Sequence, residues 1–245
     1  MKTDVHFVRL DVSADQFKIF TRIYKNFDTA FLLESLQGPK ELSEISIIGF
    51  DPRSKDTIEK NTINLIEGED SRQYDKTPDP LFPIKSILPY VKDQRFRYVG
   101  GAVGYISYDA ANSWENFRSK NKKRKFLSDD FPILEFGIYT DGIVVDHDAT
   151  KVYYFYQGRA SRFAEVSKLL KGHHEEDFGD PFNFSSPIKN VSKNQYMDMV
   201  KKAKEFIYRG DIFQAVLSRN LRFSVTGDPL RVYQNLRRIN PSPYM

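Results

Sequence analysis

The chain contains 245 residues, of which 40% are hydrophobic, and its formal net charge is +4. This length allows one large or two modest domains with a sizeable core, and the charge suits an anionic substrate but is too weak to require nucleic acid. Because the sequence contains no cysteine, disulfides, thiolate catalysis and cysteine-ligated metals are excluded.

The start of the chain carries charge where a secretory signal would need an apolar core. It reads Met-Lys-Thr-Asp-Val-His-Phe, and no run in the sequence approaches the ~18 apolar residues of a membrane span. We therefore expect a cytoplasmic protein with no membrane partner.

The first predicted elements are a strand, a helix and a second strand. Alternating residues predict a strand over Val5–Leu10, and Ser13 with Gln16 has the spacing of a capping box for a helix. The next strand is apolar and ends in Glu34 and Ser35. From residue types alone, Ser35 is interpreted as the cap of a turn.

The middle of the chain is polar and then rich in proline and glycine. Residues 51–76 predict a hairpin or loop region with a strand around Thr62–Ile66. Four prolines then bracket a short helix: Pro78, Pro80, Pro83 and Pro89. The glycines of Gly100–Asp109 have neither phosphate-loop nor dinucleotide spacing, so this segment predicts a buried strand with close backbone packing. A helix is predicted over Ala110–Phe117.

A basic run, Lys120–Lys125, contains five cations in six residues. It would suit a nucleic-acid patch. Since neither aromatic stacking residues nor a recognised nucleic-acid fold accompanies it, a solvated loop is favoured and no nucleic-acid partner is expected.

The next segment predicts a hairpin followed by a helix. Strands are expected over Ile133–Thr140, Gly142–Asp146 and Val152–Tyr156, with His147 exposed at the hairpin turn. An amphipathic helix follows over Ser161–Lys171.

A polar segment separates two predicted domains. The acidic stretch His173–Asp177 is interpreted as linker rather than metal site, because adjacent residues converge poorly on one ion. The first domain is placed at 1–178, the linker at 179–191 and an incomplete second domain at 192–245.

The second domain is predicted to open with a helix and a strand. The helix is capped by Ser192 with Gln195 and ends at Gly210. The strand, Ile212–Ser218, places Gln214 on one side with Val216 and Ser218. A proline-started helix after Asp228 then leads to an apolar strand beginning at Tyr244.

Several ordered blocks resemble the large subunit, component I, of anthranilate synthase of archaeal type. They are Leu32–Ser35, Gly100–Asp109, Gly210–Arg219, Asp228–Tyr233 and Leu236–Met245. The resemblance covers nearly the whole chain. The family continues well beyond it, so the chain is expected to be an N-terminal fragment whose second domain is truncated.

The resemblance implies a feedback site for L-tryptophan made by two distant segments. The matching residues here are Glu34, Ser35, Pro243, Tyr244 and Met245. The two segments are expected to fold against each other as walls of one pocket. Glu44 and Ile45 stand where the family usually has an arginine and an aromatic residue, so regulation is expected to be weaker or differently tuned.

Gln214 matches a chorismate-pocket position that is lysine in relatives which add water to chorismate. A glutamine cannot take a proton, whereas ammonia is already a nucleophile, so Gln214 favours an ammonia-using enzyme. Without the family frame, Gln214 is simply a sheet glutamine.

By resemblance, the intact enzyme converts chorismate and ammonia to anthranilate and pyruvate in tryptophan biosynthesis. It would use Mg²⁺ and take ammonia from a glutamine amidotransferase subunit. The metal ligands match no position of this chain, so the fragment is expected to be inactive alone. Two alternatives remain: component I of aminodeoxychorismate synthase, and a non-catalytic tryptophan-binding module.

The fold class expected is α+β. Mixed and antiparallel strands should form layers with helices outside, since the order of elements lacks the regular alternation of a doubly wound sheet.

Overall fold

The computed structural model describes residues 2–40, 43–59, 62–67, 70–75, 79, 81–88, 90–91, 95–111, 131–172 and 181–245. The chain divides into two compact units, of which one contains 1–174 together with 241–245 and the other contains 175–240. The last five residues therefore belong with the first unit.

The elements of the described residues are numbered in chain order. The strands are β1 (Lys2–Thr3), β2 (Val5–Leu10), β3 (Ala30–Leu33), β4 (Ile45–Phe50), β5 (Ser54–Glu59), β6 (Thr62–Glu67), β7 (Asp70–Asp75), β8 (Tyr90–Val91), β9 (Gly101–Ile106), β10 (Leu134–Tyr139), β11 (Asp141–Asp146), β12 (Lys151–Gln157), β13 (Asn183–Phe184), β14 (Ile188–Lys189), β15 (Leu221–Arg222) and β16 (Val225–Thr226). The helices are α1 (Gln16–Tyr24), α2 (Phe82–Ile87), α3 (Phe163–Lys171), α4 (Lys193–Tyr208) and α5 (Leu230–Ile239), with a 3₁₀ turn at Tyr108–Ala110.

The first sheet of the larger unit is antiparallel, with strand order β2-β12-β11-β4-β3. The predicted hairpin of β11 and β12 is confirmed, and it pairs Ile143 with Tyr154. Every residue of β4 is buried, as expected of a short continuous apolar run covered on both faces. This sheet supports the ends of β3 and β4, where the candidate site lies.

Helix α1 packs on β3 and β4 and contacts α3. Its predicted cap was wrong, because Asp15 rather than Ser13 accepts hydrogen bonds from the amides of Phe17 and Lys18. A carboxylate one residue before the helix reaches the free amides of the first turn directly. Arg22 of α1 also donates to the carbonyl of Leu170 in α3, which joins the two helices.

The second sheet has the order β7-β6-β5-β10-β9 and is also antiparallel. The glycine-containing strand β9 lies at its edge, with Tyr105 and Ile106 39% and 47% exposed. The prediction of a buried strand was therefore wrong. Close backbone packing is confirmed at Gly104, where a Cβ atom would clash with the carbonyl oxygen of Glu135.

Helix α2 covers the second sheet through Ile84, which packs with Ile58, Ile63 and Leu134. Only Thr140 separates β10 of the second sheet from β11 of the first sheet. The two antiparallel layers with helices packed on them confirm the predicted α+β class.

The smaller unit contains α4, α5 and two pairs of short strands, β13-β16 and β14-β15. The capping box of Ser192 and Gln195 is confirmed, and Asp228 accepts from the amide of Leu230 at the start of α5. The predicted strand Ile212–Ser218 is not formed. No strand among the described residues lies beside it, and an extended segment without a partner leaves its backbone groups unpaired.

Several predicted features lie outside the described residues. They are most of the helix at Ala110–Phe117, the basic run Lys120–Lys125, the acidic stretch His173–Asp177 and three of the prolines, Pro78, Pro80 and Pro89. Among the helices that the structure describes, none has the length and apolar character needed to cross a membrane.

Candidate functional site

The candidate site lies where the chain leaves β3. The amide of Glu34 donates to the carbonyl oxygen of Met245 at 3.1 Å, and the amide of Met245 donates to the carbonyl oxygen of Glu34 at 2.9 Å. Leu36 donates to the carbonyl oxygen of Ser242 at 3.4 Å. Residues 241–245 therefore run beside 34–36 as a short backbone pairing.

The turn after β3 is shaped for this contact. Gly38 has φ of +154°, and a Cβ atom there would lie 2.5 Å from Cγ of Pro243. On the other side of the pairing, Tyr244 has φ of +54°, a left-handed conformation that costs energy in a residue with a Cβ atom. The approach of Gly38 to Pro243 indicates that the two segments are packed closely against each other.

The side chains of the two segments differ in exposure. Glu34 is 0% and Ser35 4% exposed, whereas Tyr244 is 37% exposed. Pro243 and Met245 are half-buried. The pairing thus combines buried polar groups from the first segment with partly open apolar groups from the last one.

Ser35 is connected by hydrogen bonds to Ser46 on β4 and, through it, to His147 in the β11-β12 turn. Its amide donates to Oγ of Ser46 at 3.0 Å, and that oxygen lies 2.8 Å from Nε2 of His147. The amide of His147 donates to the carbonyl oxygen of Glu44. Ser46 is 0% exposed, so both hydrogen bonds to its hydroxyl are shielded from solvent.

His147 was predicted to be exposed, and this was wrong. It is half-buried, because the β11-β12 turn folds back onto the start of β4. Burial lowers the pKa of His147, although the carboxylates of Asp146, Glu34 and Asp148 act in the opposite direction. Burial therefore favours the neutral imidazole.

A separate ionic cluster joins α3 to the first sheet. Arg162 donates to both carboxylate oxygens of Asp141, at 2.7 and 2.9 Å, and to Asp51 at 2.7 Å. Tyr154 donates to Asp141 at 2.6 Å, and burial together with this bond raises the pKa of Tyr154. Every group in this cluster has a partner, which indicates a structural role.

Gln214 lies in the smaller unit and is exposed in an irregular segment. The predicted sheet position of this residue is therefore wrong. Its part in a chorismate pocket stays a prediction, as does the tryptophan-binding role of Glu34, Ser35, Pro243, Tyr244 and Met245.

Two residues of the site, Ser46 and His147, were not predicted. The sequence offered a weak signal for Ser46, a hydroxyl inside the apolar run Ile45–Phe50. A buried hydroxyl needs a hydrogen-bond partner, but nothing in the sequence indicates that the partner is a histidine about a hundred positions away.

No metal site stands out among the side chains that the structure describes. They include no group of three or more His, Cys, Asp or Glu residues that could hold a metal ion. The resemblance alone implies magnesium.

The chain is similar in sequence to known proteins. A family model described as chorismate binding enzyme matches residues 29–245. Anthranilate synthase component 1 of Methanothermobacter marburgensis is 36% identical over 232 residues, which cover 94% of this chain and 47% of the relative. The protein of the same name from Saccharolobus solfataricus is 34% identical, with coverage of 95% and 48%.

A solved structure resembles this fold. The crystal structure of anthranilate synthase component I from Streptococcus pneumoniae TIGR4 superposes with a TM-score of 0.63 at 25% sequence identity. The match covers 86% of this chain and 48% of that chain. The chain thus spans about half the length of the relatives that it matches.

Proposed function

Since the chain belongs to the family of chorismate binding enzymes, we propose that it forms part of an anthranilate synthase large subunit and carries that subunit's regulatory site for L-tryptophan. The observation that carries the proposal is the pair of hydrogen bonds between Glu34 and Met245. The resemblance assigned tryptophan binding to these two segments, and the pairing holds them side by side.

The chemistry of the paired segments suits a free amino acid. A carboxylate at Glu34 can pair with an ammonium group, and the hydroxyl of Ser35 can donate to a carboxylate. The partly open side chains of Tyr244 and Met245 offer apolar and aromatic surface to an indole ring. L-Tryptophan presents all three kinds of group.

The proposed reaction of the whole subunit is the addition of ammonia to chorismate and the elimination of pyruvate, which leaves anthranilate. Ammonia needs no general base, which is consistent with glutamine rather than lysine at position 214. Mg²⁺ would neutralise the carboxylates of chorismate when bound. Residues of this chain are not assigned to that metal.

The proposal includes a glutamine amidotransferase subunit as the source of ammonia and a cytoplasmic location. The relatives named anthranilate synthase component 1 favour this subunit over component I of aminodeoxychorismate synthase. The 245-residue chain alone is expected to form no anthranilate, because it matches only about half of each relative.

Anthranilate fluorescence tests the proposed reaction. The chain extended to the length of its relatives should produce anthranilate from chorismate, Mg²⁺ and ammonium, and L-tryptophan should inhibit it. Formation of aminodeoxychorismate instead would identify the alternative enzyme. Inhibition by L-tryptophan that is unchanged when Glu34 is replaced by glutamine would remove the regulatory assignment.

A further inference from the structure

The hydroxyl of Ser46 connects the candidate site to a titratable group. It lies 3.0 Å from the amide nitrogen of Ser35 on one side and 2.8 Å from Nε2 of His147 on the other. Because Ser46 is 0% exposed, solvent does not replace either partner. The Ser35 amide and the His147 imidazole therefore share one buried hydroxyl as their hydrogen-bond partner.

The hydrogen atoms shared by Ser35, Ser46 and His147 can be arranged in only a few ways. The Ser35 amide always donates to Oγ of Ser46, which leaves the hydroxyl one hydrogen to donate and one lone pair to offer. With a neutral imidazole that carries its proton on Nδ1, the hydroxyl donates to Nε2 and both groups are satisfied. This arrangement gives the Ser46 hydroxyl both an acceptor, Nε2 of His147, and a donor, the Ser35 amide.

Protonation of His147 reverses the direction of that bond. Nε2 must then donate to Oγ of Ser46, which already accepts from Ser35, and the hydroxyl hydrogen loses its acceptor. A buried donor without a partner costs about 1–3 kcal/mol. Ser46 is thus expected to rotate or shift when the imidazole gains a proton, and its hold on Ser35 weakens.

The charges around His147 come from three segments. Asp146 and Asp148 flank it in the β11-β12 turn, and Glu34 faces it from the end of β3. Lys40 pairs with Asp148 at 3.3 Å, which reduces the attraction of Asp148 for an imidazolium. Glu44, whose carbonyl accepts the amide of His147, has its own carboxylate 3.9 Å from Arg97.

We propose that His147 is a positioning residue that couples proton uptake to the candidate site: when its imidazole gains a proton, the Ser46 hydroxyl reorganises, Ser35 shifts, and affinity for an amino-acid ligand falls. The ligand part of this inference rests on the proposed function. By linkage, ligand binding must in turn lower the proton affinity of His147 by the same factor.

Calorimetry with L-tryptophan at pH 7.5 and pH 5.5 tests the coupling in the full chain. The dissociation constant of the wild type should rise at least about fivefold at the lower pH. His147→Gln, whose amide can donate to or accept from Ser46, should bind at both values with no such change. His6→Gln is the matched control, since His6 is exposed on β2 and should leave the wild-type pH dependence intact. A fivefold change retained in His147→Gln would overturn the proposal.

Nuclear magnetic resonance without ligand separates this proposal from the tryptophan assignment. The amide resonance of Ser35 should titrate with the same midpoint as the His147 ring, and in Ser46→Ala it should no longer follow the ring. A Ser35 amide that stays constant while His147 titrates would overturn the proposal. If a folded sample binds no L-tryptophan but the two resonances titrate together, the proposed function fails and the proton coupling stands.

Discussion

Glu34 and Met245 exchange both of their backbone hydrogen bonds, at 3.1 and 2.9 Å, although they lie near opposite ends of the chain. The pairing brings a buried carboxylate next to a partly open apolar segment. Closing a loop over so long a chain costs entropy. Glu34 directly follows β3, so the first sheet fixes one of the two segments.

The closeness of the two segments can be tested at Gly38. A Cβ atom at this position would lie 2.5 Å from Pro243, so Gly38→Ala should push residues 241–245 away from 34–36. The expected loss is about 1–3 kcal/mol of L-tryptophan binding free energy, measured by calorimetry.

The matched control for this variant is Gly101→Ala. Gly101 also has positive φ, +135°, but a Cβ atom there meets nothing within 4 Å. This variant should lose some stability and keep its affinity for L-tryptophan. Equal losses of affinity in the two variants would mean that the contact with Pro243 has no part in binding.

Arg162→Met should strongly destabilise the larger unit. The variant leaves Asp141, whose side chain is 12% exposed, without its cationic partner, and breaking such a pair costs about 3 kcal/mol or more. Urea unfolding measures the change. Lys85→Met, in an exposed pair with Asp79, is the control and should cost less than about 1 kcal/mol. Similar values for both variants would contradict the structural role of the cluster.

Asp56 is a buried carboxylate on β5, and neither of its side-chain oxygens has a hydrogen-bond partner. Burial raises the pKa of Asp56 from 3.8 to about 6. The unfolded chain therefore releases this proton at lower pH than the folded one, and the folded state loses stability as pH rises from about 4 to about 6.

Asp56→Asn should consequently stabilise the protein at pH 7.5, by up to about 3 kcal/mol. The gain should shrink as the pH falls towards 4, where the wild-type carboxyl is protonated in both states. Denaturation at several pH values measures this, with the exposed Asp4 replaced by asparagine as the control. A constant difference between pH 7.5 and pH 4 would show that the Asp56 proton is not responsible.

The exposed apolar side chains of residues 212–218, in the smaller unit, predict that the chain self-associates. Phe213 is 102% and Val216 85% exposed, and exposed apolar groups of this size favour aggregation. Replacing both with serine should reduce the aggregated fraction seen by light scattering, whereas Ser218→Ala should leave it unchanged. A wild-type chain that is monodisperse and melts cooperatively would refute this prediction.

The sequence predicted four of the five strands of the first sheet, β2, β3, β11 and β12, because they are rich in β-branched and aromatic residues. The remaining strand, β4, was not predicted. Val5–Leu10 is a strand with the predicted bounds. The hairpin of β11 and β12 followed from its turn residues, and the capping box of Ser192 followed from local spacing alone.

Predictions failed where distant neighbours decide the outcome. The glycine strand β9 lies at a sheet edge because only β10 pairs with it among the described strands, and no local pattern distinguishes an edge from a centre. Residues 212–218 alternate like a strand but have no partner beside them. His147 appears as an ordinary turn residue until the fold brings Ser46 within 2.8 Å of it.

The domain boundaries at 178 and 192 stay a prediction. The predicted second domain, 192–245, includes residues 241–245, which belong to the larger unit in the structure. The same five residues carry three of the predicted tryptophan contacts, so the assignment of the site and the assignment of the domains are linked.

Calorimetric titration of the folded chain with L-tryptophan tests the central claim most directly. We predict binding of one molecule per chain, with D-tryptophan giving no comparable heat, because the proposed amino-acid site between the paired segments is single and chiral. A sample that is folded by circular dichroism and releases or absorbs no heat with L-tryptophan at pH 7.5 would contradict the claim.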